Sequence, residues 1–593
     1  MSVEQTSMNQ LITDNIDVWT STVKTKSASG RGISKKRELY GVKKLRELIL
    51  ELAVRGKLVP QDLSDESVSV MLERIAEEKA QLVNKKKLKK QKELPAISDD
   101  ELPYSIPKNW VWCRLDDICF GITSGSTPPK SNFNESEGIP YLKVYNIRDQ
   151  KVDFDYKPQF VDLECHATKL KRSSLYPGDV IMNIVGPPLG KVAIIPNDYP
   201  EWNCNQAITF FRPIEPSLNT YIYTYLRAGT FLRSIDLIGT AGQDNISVTK
   251  SRSILLPTPP LEEQHRIVAK VDELMTLCDQ LEQQTEASIE AHQTLVEVLL
   301  NTLTSSENAD ELIQNWTRIS EHFDTLFITE ASIDQLKQTI LQLAVMGKLV
   351  PQDSNDEPAA KLLERIAEEK AQLIKDKKIK KSQSTDSIIE DNCDWTLSEG
   401  WDCAELQELC RFIDYRGKNP KKSDHGVRLI TAKNVRNGYI KNDPVEYISE
   451  ELYEQWMVRG LPKKRDILFI TEGHTMGYVA QVDLGYLFAL AQRTICLQSI
   501  GDLSPEYLRI VLMSPQFQLM VKDNETGSAA GGIKASKLKR LPIPIPTLRE
   551  QKIIAERVDC LLAICEQLKV QLKESQVIQL HLTDAIVEQC NPM

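Results

Sequence analysis

The chain has 593 residues, of which 41% are hydrophobic and 26% charged, with a formal net charge of −10. This length indicates several domains, and the composition excludes a chain that is disordered throughout. The sequence has no run of about 18 apolar residues, and its first residues, MSVEQ, lack a basic segment followed by an apolar one. The 12 cysteines are scattered, with no Cys-x-x-Cys pair. We therefore expect a cytoplasmic protein with reduced thiols and no membrane segment or zinc site.

The first hundred residues divide into two parts. Residues 1–35 are polar and include the run SASGRG at 27–32, which predicts a flexible polar N-terminal arm. Residues 36–104 are predicted to form an N-terminal helical region. Leu45, Leu48, Ile49 and Leu52 fall on one face of a helix there, and a second helix is predicted around residues 68–90.

A segment of different character follows at residues 105–257. It mixes aromatic, β-branched, glycine and proline residues in short runs, which is typical of an α/β domain. The run VIMNIV at 180–185 predicts a strand, and a short helix is predicted near residues 221–231.

Residues 258–395 are predicted to form a central helical spacer region. After Pro259 and Pro260, which favour a helix start, apolar or small side chains recur alternately four and three residues apart at Ile267, Val271, Leu274, Cys278 and Leu281. About 40 residues at ~1.5 Å each would give a rod of roughly 60 Å. An ordinary core helix is the alternative, and the sustained spacing favours a paired rod.

The same order then recurs, with a second α/β domain at residues 396–545 and a C-terminal helical region at 546–593. LRELILELAVRGKLVPQD at 45–62 returns as LKQTILQLAVMGKLVPQD at 336–353, and LERIAEEKAQL at 72–82 returns at 363–373. The helical parts are nearly identical and the α/β domains have diverged. This contrast predicts an α+β protein with an internal repeat, a common scaffold and two different ligands.

Charge differs between these regions. Residues 105–255 contain 16 basic and 15 acidic residues, and residues 401–545 contain 20 and 17, so that the rest of the chain carries a net −14. Domains of this kind can accept DNA phosphate while acidic helices repel it, although solvated surface clusters have the same appearance.

Motifs for catalysis are absent or incomplete. The loop around Pro187 and Pro188 lacks the polar and aromatic groups of an amino methyltransferase and is one residue short of a phosphate-binding loop. Glu77, Glu78 and Lys79 could suggest a nuclease, but they lie on an amphipathic helix where such residues are ordinary surface. We therefore expect no catalytic or metal-binding residue in this chain.

Two motifs identify a family resemblance. GKLVPQD occurs twice, and each α/β domain ends in a similar element before a heptad helix, PTPPLEEQ at 257–264 and PIPTLREQ at 544–551. With the alternation of diverged domains and near-identical helices, the whole chain resembles the DNA-specificity subunit of a type I restriction–modification system, in the subgroup with a long N-terminal helical region.

The resemblance implies that each α/β domain is a target recognition domain that reads one half of an asymmetric bipartite DNA sequence. It implies that the long helices form an antiparallel coiled-coil spacer with an approximate twofold relation between the halves. It also implies partners for phage defence: two methyltransferase subunits that bring S-adenosylmethionine, and two restriction/translocase subunits that use ATP and Mg²⁺. The chain itself would bind no cofactor and catalyse nothing.

The resemblance also places candidate DNA contacts in loops. Arg can pair with guanine, Asn and Gln with adenine, and Lys with phosphate, whereas Asn, Gly and Pro also simply form turns. The candidates in the first domain are Ser124, Gly125, Thr127, Lys130, Lys143, Asn146, Arg148, Asn205, Gln206, Gln243, Asn245 and Lys250. Those in the second domain are Arg416, Lys418, Lys433, Asn434, Arg436, His474, Gln492, Arg493, Lys534 and Lys537.

Two other functions stay open at this point. A helical scaffold with two protein-binding arms would have the same repeat, and it would show no sequence-dependent binding to DNA. A stand-alone nuclease would require metal-dependent cutting by the purified chain, and we expect none.

Overall fold

The computed structural model describes residues 8–26, 36–88, 92–235, 244–379, 393, 395–415, 419–491, 493–526 and 531–590. The chain divides into two compact units, Met1–Ala287 with Gln576–Met593, and Ser288–Ser575. No helix in these described ranges is both long and apolar enough to cross a membrane.

The first unit contains the first α/β domain and the helices that precede it. Its α-helices are α1 (Met8–Asp14), α2 (Ile16–Ser21), α3 (Tyr40–Val54), α4 (Val68–Asn84), α5 (Leu115–Ile118), α6 (Leu163–Ala167), α7 (Asn219–Ala228) and α8 (Val248–Arg252). Its strands are β1 (Val23–Lys26), β2 (Lys36–Leu39), β3 (Val111–Arg114), β4 (Thr123–Ser124), β5 (Phe133–Asn134), β6 (Ile139–Leu142), β7 (Ile147–Arg148), β8 (Lys151–Val152), β9 (Phe160–Val161), β10 (Val180–Asn183), β11 (Val192–Ile194), β12 (Asn203–Cys204), β13 (Ile208–Phe211) and β14 (Leu255–Thr258).

The second unit repeats this order. Helix α9 (Leu261–Ser305) begins in the first unit and ends in the second. The helices that follow are α10 (Ala309–Glu321), α11 (Phe323–Leu326), α12 (Glu330–Val345), α13 (Ala359–Lys375), α14 (Leu406–Leu409), α15 (Glu450–Trp456), α16 (Pro505–Met513), α17 (Pro515–Asp523), α18 (Ala535–Leu538) and the long α19 (Leu548–Cys590). The strands are β15 (Asp402–Glu405), β16 (Cys410–Asp414), β17 (Val427–Ile430), β18 (Val435–Arg436), β19 (Tyr439–Ile440), β20 (Tyr447–Ile448), β21 (Ile467–Ile470), β22 (Val479–Gln481), β23 (Phe488–Leu490), β24 (Thr494–Ser499), β25 (Glu525–Thr526), β26 (Gly532–Ile533) and β27 (Pro542–Ile545).

The two α/β domains have the same sheet plan. Each has an antiparallel four-stranded sheet, in the order β11-β10-β13-β4 in the first domain and β16-β24-β21-β22 in the second. Each also has a sheet with one parallel pair, β6 with β12 and β17 with β23. The first and last strands of each domain pair antiparallel, β3 with β14 and β15 with β27. The chain therefore enters and leaves each domain at the same place.

Buried polar contacts fasten each domain to the start of its long helix. Trp110 donates its indole N–H to Glu263 at 3.0 Å, and Trp401 donates to Glu550 at 3.2 Å. The next residue in α9, Gln264, donates to the Pro259 carbonyl at 2.9 Å and so caps the bend before the helix. The repeated Pro-rich Glu-Gln element thus connects each α/β domain to the long helix that follows it. Burial at this connection raises the pKa of Glu263.

The repeated GKLVPQD segment follows α3 and α12. Gly56 and Gly347 have φ of +68° and +67°, the left-handed conformation that commonly ends a helix. A Cβ at Gly347 would lie 2.3 Å from the Ser398 hydroxyl, so a side chain there would have to displace Ser398 in addition to straining the backbone. The next residue, Lys348, donates to the Thr304 and Ser306 carbonyls at 2.9 and 2.8 Å and caps the end of α9.

The long helices bury the apolar stripe that the heptad spacing predicts. In the first unit Ile267, Val271, Leu274, Cys278 and Leu281 are all buried. In the second unit the stripe of α19 belongs to one buried cluster with α12, so short helices of the same unit cover it. The prediction of long heptad helices is confirmed, and within each unit their stripe is part of a globular core.

The prediction of a flexible arm at residues 1–35 is wrong for residues 8–26. Helices α1 and α2 bury Met8, Ile12 and Trp19, and the Thr22 and Thr583 hydroxyls lie 3.0 Å apart in a buried contact. Three buried apolar residues from two short helices dock this segment, and they are too few to stand out in a polar sequence. Residues 1–7 and 27–35 of the predicted arm lie outside the described residues.

The predicted fold class is confirmed, with two α/β domains alternating with long helices in an internal repeat. The lysine considered for a nuclease has a structural role. Lys79 donates to the Asp116 carbonyl, and its repeat counterpart Lys370 donates to the Gln407 carbonyl at 2.8 Å. These lysines dock α4 and α13 onto the two domains.

Candidate nucleic-acid interface

The two asparagines proposed as base contacts are buried in the structure. Asn146 is 1% exposed and Asn434 is 0% exposed. The Asn146 amide donates to the Asp153 and Tyr156 carbonyls at 3.1 and 2.9 Å, and its oxygen accepts from the Lys143 N–H at 2.9 Å. Both of its donors are therefore occupied inside the protein.

Asn434 makes the corresponding contacts in the second domain. Its amide donates to the Lys441 and Pro444 carbonyls at 3.1 and 3.0 Å, and its oxygen accepts from both the N–H and the hydroxyl of Thr431. The prediction that Asn146 and Asn434 read bases is corrected, because each amide instead pins a loop to the backbone. An asparagine in a loop suits both roles, and only its burial distinguishes them.

Each pinned asparagine is followed at once by a short β-hairpin. Strand β7 pairs with β8, with Ile147 opposite Val152, and β18 pairs with β19, with Val435 opposite Ile440. We call residues 143–157 the first pinned hairpin and residues 431–445 the second. Arg148 and Arg436, both predicted contacts, occupy the same position on these hairpins.

The tip of each pinned hairpin docks on its own domain. In the first domain Gln150 accepts from the Val192 N–H at 2.8 Å through its side chain and from the Tyr223 hydroxyl at 2.9 Å through its carbonyl. In the second domain the Gly438 N–H donates to the Val479 carbonyl at 2.7 Å. The tips are thus held in place, and the sides of the hairpins remain at the surface.

The glycine–threonine loop of the first domain lies beside strand β12. Gly125 is buried, and a Cβ there would lie 2.1 Å from the Cys204 carbonyl oxygen. The close approach that Gly125, a predicted DNA contact, permits is therefore to the protein's own strand β12. Ser124 pairs with Thr209 in the sheet, whereas Thr127 and Lys130 are exposed.

The Thr127 side chain connects this loop to two further predicted DNA contacts, Asn205 and Gln206. Its hydroxyl donates to the side-chain oxygen of Gln206, which is exposed, and Asn205 is half-buried beside it. The Asn205 N–H donates to the Leu142 carbonyl at 3.0 Å, next to Lys143. The structure therefore gathers Thr127, Gln206 and Lys143 on one surface.

In each domain three segments meet through backbone hydrogen bonds, and we call this meeting point the junction. They are the loop after β10 or β21, the residue before β13 or β24, and the segment that contains Ile246 or Ile533. The Ile246 N–H donates to the Ile184 carbonyl at 2.9 Å, and the Ile533 N–H donates to the Thr471 carbonyl at 2.9 Å. Asn245, which is half-buried, forms an isolated antiparallel β-bridge with Val185 at this junction in the first domain. Half-buried Lys250 lies on α8 close by in the sequence.

The backbone contacts of Arg493, a predicted DNA contact, identify its counterpart in the first domain. The Ala207 carbonyl accepts from the Ile184 N–H, and the Arg493 carbonyl accepts from the Thr471 N–H. Arg493 is therefore the structural counterpart of Ala207, the residue after Gln206. Its exposed guanidinium lies 4.0 Å from Glu472.

The second domain exposes more cations at its junction. His474 is exposed in the loop after β21, and Lys534 and Lys537 are exposed at α18. The Gly473 N–H donates to the Gly531 carbonyl at 2.9 Å, which holds the His474 loop against the segment before Lys534. Four predicted contacts, Gln243, Arg416, Lys418 and Gln492, lie outside the described residues.

The first pinned hairpin carries rings and cations that the sequence reasoning missed. Tyr145 and Tyr156 lie edge to face with centroids 6.0 Å apart. The Arg148 guanidinium lies 4.3 Å from the Tyr156 centroid, and the Lys157 ammonium lies 5.3 Å from it. Burial raises the pKa of Tyr145 above its ordinary value. In the sequence, the two tyrosines flank the segment that forms the hairpin. They can be recognised as neighbours only when the pairing of β7 with β8 is known.

The second pinned hairpin presents a different set. Lys433 is exposed and lies 3.9 Å from Glu446, and Tyr439 is 58% exposed. Arg436 donates to the Val435 carbonyl at 2.9 Å and is half-buried, while Lys441 is exposed. Arginine, lysine and tyrosine side chains of this kind donate to phosphate and base edges of nucleic acid. Within the described residues, no group of three or more His, Cys, Asp or Glu could hold a metal ion.

The fold and these surfaces define a repeat protein with two diverged copies of one loop-bearing domain. The family model of the type I restriction modification DNA specificity domain matches this chain twice, at residues 107–291 and 398–575. The chain is 39% identical to the specificity subunit of the type I restriction enzyme EcoAI from Escherichia coli, over 98% of this chain and 99% of that protein. It is 36% identical to the EcoEI specificity subunit of the same organism, over 98% and 99%.

A solved structure of the HsdS subunit from Thermoanaerobacter tengcongensis is similar to this chain at 19% identity. The similarity covers 82% of this chain and 98% of that one, with a TM-score of 0.40. On the family match and the two E. coli relatives, this chain belongs to the type I restriction–modification DNA specificity family. The family resemblance predicted from the sequence is confirmed.

Proposed function

We propose that this chain reads an asymmetric bipartite DNA target, with one α/β domain on each half-site. The observation that carries the proposal is the contrast within the repeat. The two domains share a buried frame, including the pinning contacts of Asn146 and Asn434, and differ in the side chains at the surface. A common frame with different exposed chemistry suits two different half-sites.

Charge distribution supports the same proposal. The two α/β domains have net charges of +1 and +3 over residues 105–255 and 401–545, whereas the rest of the chain is strongly acidic. Since DNA repels an acidic surface, the domains are the parts of the chain that can approach it. The long helices then serve as the spacer that fixes the number of unread base pairs.

The proposal includes partners. Two methyltransferase subunits would dock on the helical regions and supply S-adenosylmethionine, and two restriction/translocase subunits would use ATP and Mg²⁺. The chain would contribute recognition and no catalytic residue. We expect the complex to work in the cytoplasm, where the target DNA is.

The test is a map of N6-methyladenine in DNA from cells that express this chain with its candidate methyltransferase partner. We expect a two-part asymmetric motif with a fixed gap, and we expect it to disappear when this chain is omitted. Active partner and soluble complex without any methylation that depends on this chain would contradict the proposal. That result would favour a scaffold with two protein-binding arms.

A further inference from the structure

We infer that the pinned hairpins determine which half-site each domain reads, through the side chains on their exposed sides. This inference rests on the proposed function and assigns its specificity to residues 143–157 and 431–445. The buried asparagines are positioning residues for these hairpins. The candidate contacting side chains are Tyr145, Arg148, Tyr156 and Lys157 in the first hairpin and Lys433, Arg436, Tyr439 and Lys441 in the second.

The first argument is that the frame of the hairpin is the same in the two domains. Asn146 bonds the carbonyls seven and ten residues later, and Asn434 bonds the carbonyls seven and ten residues later. The tip docks on β11 in the first domain and on β22 in the second. Two domains that have otherwise diverged therefore hold this hairpin in the same way.

The second argument is that the exposed positions on this common frame differ. Tyr145 of the first hairpin corresponds to Lys433 of the second, one residue before the asparagine in each case. Tyr156, which is 40% exposed, corresponds to Pro444, whereas the arginine and one exposed aspartate, Asp155 and Asp443, are the same in both hairpins. A constant support with changed surface chemistry is the arrangement expected of a part that selects between ligands.

The third argument concerns the chemistry of the first hairpin. The Tyr156 ring faces both Arg148 and Lys157, and the Lys143 ammonium lies 5.1 Å from the Phe133 ring. In the described ranges, neither Lys143 nor Lys157 has a carboxylate within ion-pair distance. Rings hold these cations in place without neutralising them, which lowers the entropy lost when they bind phosphate or a guanine edge.

Arg148 is oriented by a second contact. Its Nε lies 3.1 Å from the Asp153 carboxylate, while the side chain is 47% exposed. Asp153 directly follows β8 on the same hairpin, and its carboxylate also accepts from the Tyr156 N–H at 3.1 Å. An arginine fixed at one edge and exposed at the other is suited to a directed hydrogen bond with a base.

The experiment uses the complete complex in cells and maps methylated adenines at each site. The first variant is Arg148→Ala with Lys157→Ala, and the second is Arg436→Ala with Lys441→Ala. The matched control is Arg172→Ala with Lys169→Ala, which removes the same two types of exposed cation from the first domain away from the hairpin. Arg148→Lys keeps the charge and tests base reading alone.

We expect the first variant to relax or abolish recognition of one half-site, with methylation of the wild-type motif reduced about tenfold or more. The second variant should affect only the other half-site, and the control should keep both. Arg148→Lys should accept additional bases at one position of the first half-site. Melting of the purified complexes, expected to match wild type for these surface changes, separates recognition from folding.

Different results overturn different statements. If wild type yields a bipartite motif and the first variant leaves it unchanged, the hairpin inference is wrong and the proposed function stands. If the control loses the same half-site as the first variant, the hairpin has no special part in recognition. If the wild-type complex itself yields no bipartite motif, the proposed function is wrong, and the hairpin inference that rests on it is wrong as well.

Discussion

Replacing Asn146 with alanine tests whether this asparagine supports the fold or reads DNA. The substitution removes three hydrogen bonds of a side chain that is 1% exposed. At about 1 kcal/mol net for each bond, the local structure should lose about 3 kcal/mol.

Hydrogen exchange measured by mass spectrometry is the suitable assay. A loss of about 3 kcal/mol should reduce protection of the amides in residues 147–157 by roughly 100-fold. Amides of the second unit should be unchanged. Asn434→Ala should give the reciprocal result, with the loss confined to the second pinned hairpin. Arg148→Ala is the control, and it should cost no more than about 1 kcal/mol, because it removes a partly exposed ion pair with Asp153 and a contact with the Tyr156 ring.

Asn146→Asp makes the test more specific. The carboxylate keeps an acceptor for the Lys143 N–H but places oxygen against the Asp153 and Tyr156 carbonyls, which only accept. We therefore expect it to be at least as destabilising as alanine at neutral pH. Unchanged exchange and melting in both variants, together with lost recognition of one half-site, would refute the structural role of Asn146.

Two further predictions concern the helical scaffold and pH. Lys348→Met should increase hydrogen exchange at the end of α9, because it removes two charge-assisted bonds to carbonyls, at a local cost of about 1.5–3 kcal/mol. The control is Lys337→Met, which removes a surface ion pair and should cost no more than about 1 kcal/mol. Arg465 lowers the pKa of Glu506 from 4.5 to about 2, so their pairing stabilises the fold above pH 4.5 and is lost as the pH falls toward 2. The difference in unfolding free energy between wild type and Arg465→Ala should therefore shrink between pH 5 and pH 2 in urea titrations, and a constant difference would contradict the pairing.

The helices were predictable because their signal is periodic and occurs twice. The apolar spacing in residues 261–303 predicted α9, whose bounds are Leu261–Ser305, and the prolines before it marked its start. The docking of α1 and α2 was not predictable in the same way. Three buried side chains, Met8, Ile12 and Trp19, give too little periodicity to stand out in a polar segment.

The candidate site was predictable by region and not by residue. Arg148 and Arg436 were identified and lie on the pinned hairpins, but Asn146 and Asn434 were assigned the wrong role. Residue chemistry alone cannot separate these cases, because an amide binds an adenine edge and a backbone carbonyl with the same donors. Burial decides between them, and burial depends on contacts seven and ten residues away.

The partners of the asparagine explain how one frame can support two surfaces. Asn146 bonds only backbone groups, and Asn434 bonds backbone groups together with one hydroxyl of its own loop. A backbone carbonyl presents the same acceptor whatever side chain its residue carries, so tyrosine can stand at 156 and proline at 444 without loss of the contact. The exposed residues between the asparagine and its acceptors can therefore change without loss of these bonds, whereas Ile147 and Val435 are held in place by burial in the core. Duplication of such a frame allows the surface of each copy to diverge toward its own ligand while the helical scaffold stays nearly the same.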